Sequence, residues 1–213
     1  MTYKLSIEEL KKSLPPNVSL LAVSKGHPDC SIRQFAQSGQ IDFGESRLQE
    51  ALPKIENLKD INQIRWHFVG KLQKNKVRKV LKDFDVVQSV DTLPLIKRIS
   101  RIAGEESIAP ELMLQVKLRD DPSKSGFSKE DLFNAWSQIK TLPHINLIGL
   151  MTISPIAFSL KERKSLFMEC RDLANYLGLK DCSMGMSNDW EEAVEAGSTW
   201  IRIGSLLFGQ RSK

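Results

Sequence analysis

The stretch VSLLAVSKGHP, residues 18–28, is an apolar run closed by a serine, a lysine and a turn. Val18, Leu20, Leu21, Ala22 and Val23 form a run too short for a helix and suited to a strand buried on both faces, the kind found in parallel sheets. Read as residues 18–24, that strand delivers Lys25 at its C-terminal end. Lysine is among the side chains least often buried without a partner. Its place at the end of a buried strand therefore calls for a reason.

The pattern repeats along the chain. Short β-rich runs at 41–44, 65–70, 85–90, 112–118, 146–152, 182–186 and 200–204 alternate with amphipathic segments at 31–38, 45–57, 72–82, 93–104, 128–140, 160–178 and 189–196. A strand-plus-helix repeat of roughly 20–35 residues is the length of a βαβ crossover, which implies a parallel sheet. Eight such strands predict an α/β fold, a single (β/α)8 TIM-type barrel, with a doubly wound open sheet as the structural alternative. No linker or low-complexity tract interrupts residues 1–213, which read as one domain. Ahead of the first strand, SIEELKKSLPP predicts an extra N-terminal helix with Ser6 as its cap and Pro15-Pro16 as its end. That helix is expected to cover the barrel beside the last strand, which has almost no helix after it.

Composition narrows the functional classes. With 41% hydrophobic and 27% charged residues over 213 positions, the chain has the make-up of an ordinary globular protein. No apolar run approaches the roughly 18 residues of a membrane span, and the N-terminus lacks the apolar core of a signal peptide. Cys30, Cys170 and Cys182 are odd in number and lack metal-site spacing, so reduced thiols and a cytoplasmic location are expected. The basic run KLQKNKVRKVLK at 71–82 has two readings, a surface for acidic partners and a solvated helix face. Leu72, Val77, Val80 and Leu81 supply the core-facing stripe that the second reading needs, and no nucleic-acid or membrane partner is expected.

In a barrel of this kind the chemistry sits at the C-terminal ends of the strands. Lys25 at such an end is a solvated charge, a point-charge phosphate binder, or an amine poised for Schiff-base chemistry. The segment SMGMSNDWEEAVEAGSTWIRIGSLLFGQR, 183–211, bears on the choice. Ser187 lies where strand seven runs into a helix starting near Asn188, and Gly204-Ser205 follows strand eight. Each has a plain reading, Ser187 as a helix cap and Gly204 as a turn. Together at neighbouring strand ends, they favour a phosphate ligand. Strand alternation points Ile201 and Ile203 at the helices and Arg202 into the barrel. There the guanidinium needs an acceptor, either an ion-pair partner or a ring nitrogen of a bound cofactor. A lysine, a phosphate cradle and an arginine between them describe a pyridoxal 5′-phosphate (PLP) site.

The motifs AVSKGHP (22–28), FGESRLQE (43–50), WHFVGKLQKNK (66–76), GLMTISP (149–155), SMGMSNDWEEAVEAGST (183–199) and RIGSLLFGQR (202–211) span almost the whole chain. In combination they resemble the pyridoxal phosphate homeostasis proteins, which carry the fold type III barrel of the alanine racemase N-terminal domain. The resemblance implies that Lys25 forms the Schiff base with PLP. It also implies that Ser187, Gly204 and Ser205 hold the phosphate and that Arg202 lies beside the pyridine nitrogen. Ser46, His67 and Met186 match positions at the mouth of the pocket, with no role assigned. Two positions depart from the family pattern. Ser46 in FGES replaces an asparagine amide, and Lys117 in QVK replaces another asparagine. The Lys-Ser-Gly turn in DDPSKSGF, 120–127, is kept.

The resemblance implies a PLP-binding protein that contributes to intracellular PLP and amino-acid/keto-acid homeostasis, with cofactor handover to apo-enzymes, and that has no efficient catalysis of its own. The residues agree. An arginine cannot accept a proton, so Arg202 disfavours the protonated ring on which PLP relies as an electron sink. Racemases of this barrel add a tyrosine base from a C-terminal domain, whereas this chain ends at Lys213, just past its last strand. Its two tyrosines, Tyr3 in the N-terminal tail and Tyr176 in a helix outside the barrel, are not placed to serve, and a monomer is expected. The alternatives are a PLP-dependent amino-acid racemase or decarboxylase using Lys117 or His67 as second base, and a phosphosugar-type barrel in which Lys25 is only a charge.

Overall fold

The alternating runs close into one ring. In a computed structural model describing residues 6–121 and 124–210, eight parallel strands pair in sequence order and β8 returns to β1. The elements are α1 (Ile7–Ser13), β1 (Ser19–Val23), α2 (Asp29–Gln37), β2 (Asp42–Glu45), α3 (Leu48–Asn57), β3 (Arg65–Phe68), α4 (Val77–Asp83), β4 (Val86–Val90), α5 (Leu93–Glu105), β5 (Glu111–Gln115), α6 (Lys129–Ile139), β6 (Asn146–Met151), α7 (Leu160–Tyr176), β7 (Asp181–Ser183), α8 (Trp190–Glu195), β8 (Trp200–Ile203) and α9 (Ser205–Phe208). Leu21 of β1 faces Arg202 of β8 across the closing seam. The barrel expected from the sequence is the fold, and the open sheet is excluded.

Alternation along each strand divides the side chains between two cores. Leu20 and Ala22, Phe43, Leu112 and Leu114, Leu150, and Ile201 and Ile203 are buried outside the ring, beneath the helices. Burying each larger one contributes about 1.5–3 kcal/mol. Inside the ring, Leu21, Val23, Met113, Met151 and Trp200 form a separate, smaller cluster. Arg202 lies between two outward isoleucines and points inward, as alternation requires.

Strand ends differ from the sequence reading in two places that matter. β1 stops at Val23, so Lys25 lies two residues past the sheet in the turn, where a cation costs less to place. β7 stops at Ser183 because the chain turns away at Gly185, whose φ of +92° suits glycine. A Cβ there would also meet the Ala193 Cβ at 2.6 Å. The 71–82 stretch forms a short 3-10 turn, Lys74–Lys76, and then α4, with Leu72, Val77, Val80 and Leu81 buried. Arg78 in that stretch is paired with Glu105 and Glu106 at the end of α5, which consumes part of its basic character.

The N-terminal helix begins at Ser6 in a reciprocal capping box with Glu9. Lys11 Nζ donates to the Gly39 carbonyl at 2.8 Å, which ties α1 to the turn before β2 at the N-terminal end of the strands. Among the described residues no helix is long and apolar enough to cross a membrane, and no cluster of three or more ligating side chains could hold a metal ion. Cys170 and Cys182 are buried free thiols, whereas Cys30 is exposed.

Close approach of β6 and β7 rests on Gly149. A Cβ at that position would lie 2.2 Å from the Asp181 carbonyl oxygen, which is backbone and cannot swing aside. Gly149→Ala is expected to cost about 1–3 kcal/mol, seen as a drop of roughly 2–12 °C in the thermal midpoint. An unchanged midpoint would contradict this packing.

Candidate functional site

A cavity of about 570 Å³ opens at the C-terminal ends of the strands. Its wall brings together six of the residues marked in the sequence: Lys25, Met186, Ser187, Arg202, Gly204 and Ser205. Residues separated by up to 180 positions thus converge on one volume, and each comes from the end of a strand or the loop that follows it.

Lys25 is half-buried, and the backbone on either side of it is held from below. Lys54 on α3 donates to the Ser24 carbonyl at 3.1 Å, to Glu45 Oε1 at 2.8 Å and to Glu50 Oε1 at 2.8 Å. These bonds use all three donors of its ammonium. Ser24 Oγ donates to Glu45 Oε1 at 2.7 Å, and the Gly26 N–H donates to Glu50. One buried ion-pair cluster therefore fixes the residues flanking Lys25. Burial pushes the Glu45 carboxyl above its ordinary range, against the pull of Lys54 and Ser24. Burial acts the same way on Glu50, but the bonds from Lys54 and the Gly26 amide outweigh it and leave that carboxyl below its ordinary range.

On the opposite side, Asp189 closes the turn that carries Ser187. Its Oδ1 accepts the Met186 N–H at 2.6 Å, and its own N–H donates to the Met186 carbonyl at 3.0 Å. α8 begins at Trp190, so Asp189 takes the cap position that the sequence suggested for Ser187. Ser187 is left at the tip of the turn, where its Oγ accepts the Leu206 N–H at 3.4 Å and joins the turn to the start of α9. A Cβ at Gly204 would lie 3.3 Å from the Val23 carbonyl oxygen, a tight contact that favours glycine at this corner. Burial raises the Asp189 carboxyl, opposed by the Met186 amide and the charge of Arg202.

Arg202 is 5% exposed. Its NH1 donates to the Ser183 carbonyl at 2.6 Å and to Ser183 Oγ at 2.9 Å, while NH2 donates to the Thr152 carbonyl at 2.8 Å. Burial lowers the guanidinium to about 10, which leaves it charged at neutral pH. The acceptor that the sequence required is thus mainly backbone, and among the described residues no carboxylate is bonded to it.

Two marked residues lie away from the cavity. His67 was matched to the mouth, but it is fully buried, because position three of β3 faces the barrel interior below the cavity floor. Its Nε2 is 2.9 Å from Asp42 Oδ1 and its Nδ1 is 2.9 Å from Gln88 Nε2, and its ring packs 5.0 Å from that of Trp200. Burial pushes the imidazole below its ordinary 6.5, against the pull of Asp42. Ser46, just past β2, is absent from the cavity wall, and its backbone packs against Gly70. Lys117, the other departure from the family pattern, is half-buried past β5 and lines a separate small groove beside Arg119 and Lys124.

The structure adds wall residues that sequence reasoning passed over: His27, Arg163 and Asp189. His27 stacks on Phe208 at 5.0 Å, and Phe35 meets the same ring edge-on at 4.9 Å, which ties the Lys25 turn to α9. Ser183 and Thr152, which hold Arg202, and the Lys54 cluster were also missed. A signal for the interior group was present in the sequence. His67 and Gln88 are polar residues at inward positions of their strands.

Comparison with known proteins gives a consistent result. The model of the alanine racemase N-terminal domain family matches residues 4–212. A pyridoxal phosphate homeostasis protein of Synechocystis sp. is 44% identical over 209 residues, covering 95% of this chain and 96% of the relative. One of Pseudomonas aeruginosa is 42% identical over 201 residues, covering 92% and 86%. Among solved structures, PipY of Synechococcus elongatus with PLP bound superposes with a TM-score of 0.92 at 43% identity, covering 95% of this chain and 98% of that one. Alanine racemase of Clostridium difficile reaches 0.75 at 14% identity over 96% of this chain and 55% of its own, a likeness of fold alone. On these matches the chain belongs to the family of pyridoxal phosphate homeostasis proteins.

Proposed function

We propose that this protein binds PLP covalently through Lys25 and contributes to PLP and amino-acid/keto-acid homeostasis without efficient turnover of its own. One observation carries the reading. A lysine, two phosphate-compatible loops and a buried arginine share a single cavity, whose 570 Å³ lies within the range of cofactor sites. Relatives named for PLP homeostasis, and a related structure containing PLP, support it.

The residues fit the group. Lys25 supplies an amine for the aldehyde. Ser187, Gly204 and Ser205 supply a hydroxyl pair and backbone close enough for a phosphate. Arg202 has three of its N–H bonds committed to Ser183 and Thr152, out of five, and keeps donor capacity toward a ring nitrogen. When bound, PLP supplies an aldehyde for reversible capture and a ring that withdraws electrons. Arg202 cannot accept a proton and remains charged, so it holds the ring nitrogen unprotonated and weakens that withdrawal.

Turnover also needs a second proton carrier facing Lys25. His67 and Lys117 stand away from the cavity. Tyr176 is 77% exposed on α7, edge-on to Phe133, and Tyr3 lies outside the described residues. His27 and Asp189 do line the cavity, but His27 is stacked on Phe208 and Asp189 is bonded to the Met186 amide. Action as a monomer and handover to apo-enzymes belong to the same proposal.

Protein loaded with PLP and incubated with L-alanine or L-ornithine is expected to give no sustained product. Continuous formation of D-alanine or of putrescine would replace the carrier reading with the racemase or decarboxylase one.

A further inference from the structure

The interior of such a barrel is ordinarily filled by layers of branched aliphatic side chains. Here polar side chains occupy inward positions on five of the strands that meet in one group: Asp42 on β2, His67 on β3, Gln88 on β4, Ser183 on β7 and Arg202 on β8. His67, Gln88 and Ser183 are fully buried. They connect into one file: Arg202 NH1 to Ser183 Oγ at 2.9 Å, Ser183 Oγ to Gln88 Oε1 at 2.7 Å, Gln88 Nε2 to His67 Nδ1 at 2.9 Å, and His67 Nε2 to Asp42 Oδ1 at 2.9 Å.

The two ends fix the direction of the file. A guanidinium only donates and a carboxylate only accepts. Ser183 Oγ accepts from Arg202, so its own proton goes to Gln88 Oε1. The Gln88 amide nitrogen therefore faces His67 and donates to Nδ1. The imidazole proton is left on Nε2, where it is donated to Asp42. Each member has one orientation consistent with its neighbours, and reversing one would bring two donors or two acceptors face to face. A buried mismatch of that kind costs as much as an unsatisfied polar group.

We propose that Ser183, Gln88 and His67 are positioning residues, forming a one-way hydrogen-bond file in which donation runs from Arg202 to Asp42 at the far end of the barrel and which sets the orientation in which Arg202 meets a ligand in the cavity. For its consequence at the ligand, this rests on the PLP reading above. For its internal order, it does not.

The file also responds to the protonation of His67. A protonated His67 carries protons on both nitrogens, so Gln88 would have to rotate its amide to offer Oε1. Its nitrogen would then face Ser183 Oγ, whose hydroxyl would lose its acceptor beside Arg202. The groups facing His67 are Asp42 on β2, Arg65 on β3, Asp85 before β4 and the Trp200 ring on β8. Asp42 is flanked by Arg65 at 3.7 Å and by the charge of Lys11 on α1, and Arg65 is itself paired with Glu111. Burial, opposed by Asp42, keeps the imidazole neutral at physiological pH, the state the file needs.

Two measurements on the full chain test this. Nitrogen-15 NMR of the His67 ring in the protein without PLP is expected to show a neutral imidazole with its proton on Nε2. A proton on Nδ1 at neutral pH overturns the file whatever the ligand is. With PLP loaded, Gln88→Met and Ser183→Ala are each expected to speed PLP dissociation roughly tenfold, the effect of one lost buried hydrogen bond, and to alter the pH dependence of the visible band. Ser183→Thr, which keeps the hydroxyl, is expected to retain the wild-type rate. Wild-type rate and spectrum in Ser183→Ala, or equal damage from the threonine, overturns the positioning role, even if thermal stability falls. Should Gln88→Met not fold, the Ala and Thr pair reads the same link. Failure of the wild type to take up PLP at all would undo the function proposed above and leave the NMR result standing.

Discussion

Lys25→Ala is expected to abolish the yellow absorbance of PLP-loaded protein and to weaken PLP binding by about a hundredfold or more, some 2.8 kcal/mol at tenfold per 1.4 kcal/mol. The residual binding would come from the Ser187 turn, the Gly204–Ser205 backbone and Arg202, which line the same cavity and are untouched by the change. Lys25→Arg separates two roles for the residue. A guanidinium keeps the charge but stays protonated and cannot capture an aldehyde. If Lys25 acts only as a charge, as in a phosphosugar-type barrel, the arginine variant binds phosphate ligands nearly as well as wild type. If it acts by covalent capture, arginine and alanine fail alike. A spectrophotometric PLP titration of the three proteins decides between them.

The largest stability effect is expected at Lys54. Its side chain is 10% exposed and pairs with Glu45, whose side chain is fully buried. Removing one partner of a buried pair strands the other charge, at a cost of about 3–5 kcal/mol. Lys54→Met should show this by chemical denaturation, and Lys54→Met with Glu45→Gln should recover most of it. Glu45 Oε2 has no hydrogen-bond partner among the described residues, so Oε1 and its bonds to Lys54 and Ser24 carry the pairing.

The pH dependence of this variant follows from burial. Without Lys54, the Glu45 carboxyl is raised further above its unfolded value of 4.5. A folded state that holds its proton to higher pH than the unfolded state loses stability as pH rises between the two values. The Lys54→Met penalty should therefore be small near pH 4.5 and grow toward neutrality. A penalty under about 1 kcal/mol at pH 7, the worth of a surface pair, would contradict the clamp beneath Lys25.

What the sequence made legible follows the range of the physics involved. Strand and helix alternation is local, and Leu20–Val23, Leu112–Leu114 and Ile201–Ile203 announce it without reference to distant contacts. Lys25 and Arg202 were legible for the same reason. One follows a strand end and the other occupies an inward position, so the closed barrel alone brings them together. The Ser187 turn was found, and its plain alternative, Ser187 as a helix cap, falls because the path of the turn puts Asp189 in the cap position.

His67 shows the opposite case. Matching its motif placed it at the mouth, while alternation along β3 puts it inside the ring, bonded to Asp42 and Gln88. Glu50 and Lys54 stand one helical turn apart, a spacing as common on an exposed helix face as beneath a site. What buries Lys54 is the seating of α3 on β2 over Glu45, a tertiary fact with no local signature. The four residues of α9 are too few to show a helical period, so the stacking of His27 on Phe208 was not visible in advance.

The central claim is the covalent capture of PLP at the mouth of the barrel by one lysine among many. Wild-type protein incubated with PLP, reduced with borohydride, digested and analysed by mass spectrometry tests it most directly. The label is expected on the peptide containing Lys25, at a stoichiometry near one per chain. Label scattered over surface lysines, with the Lys25 peptide unmodified, would contradict it.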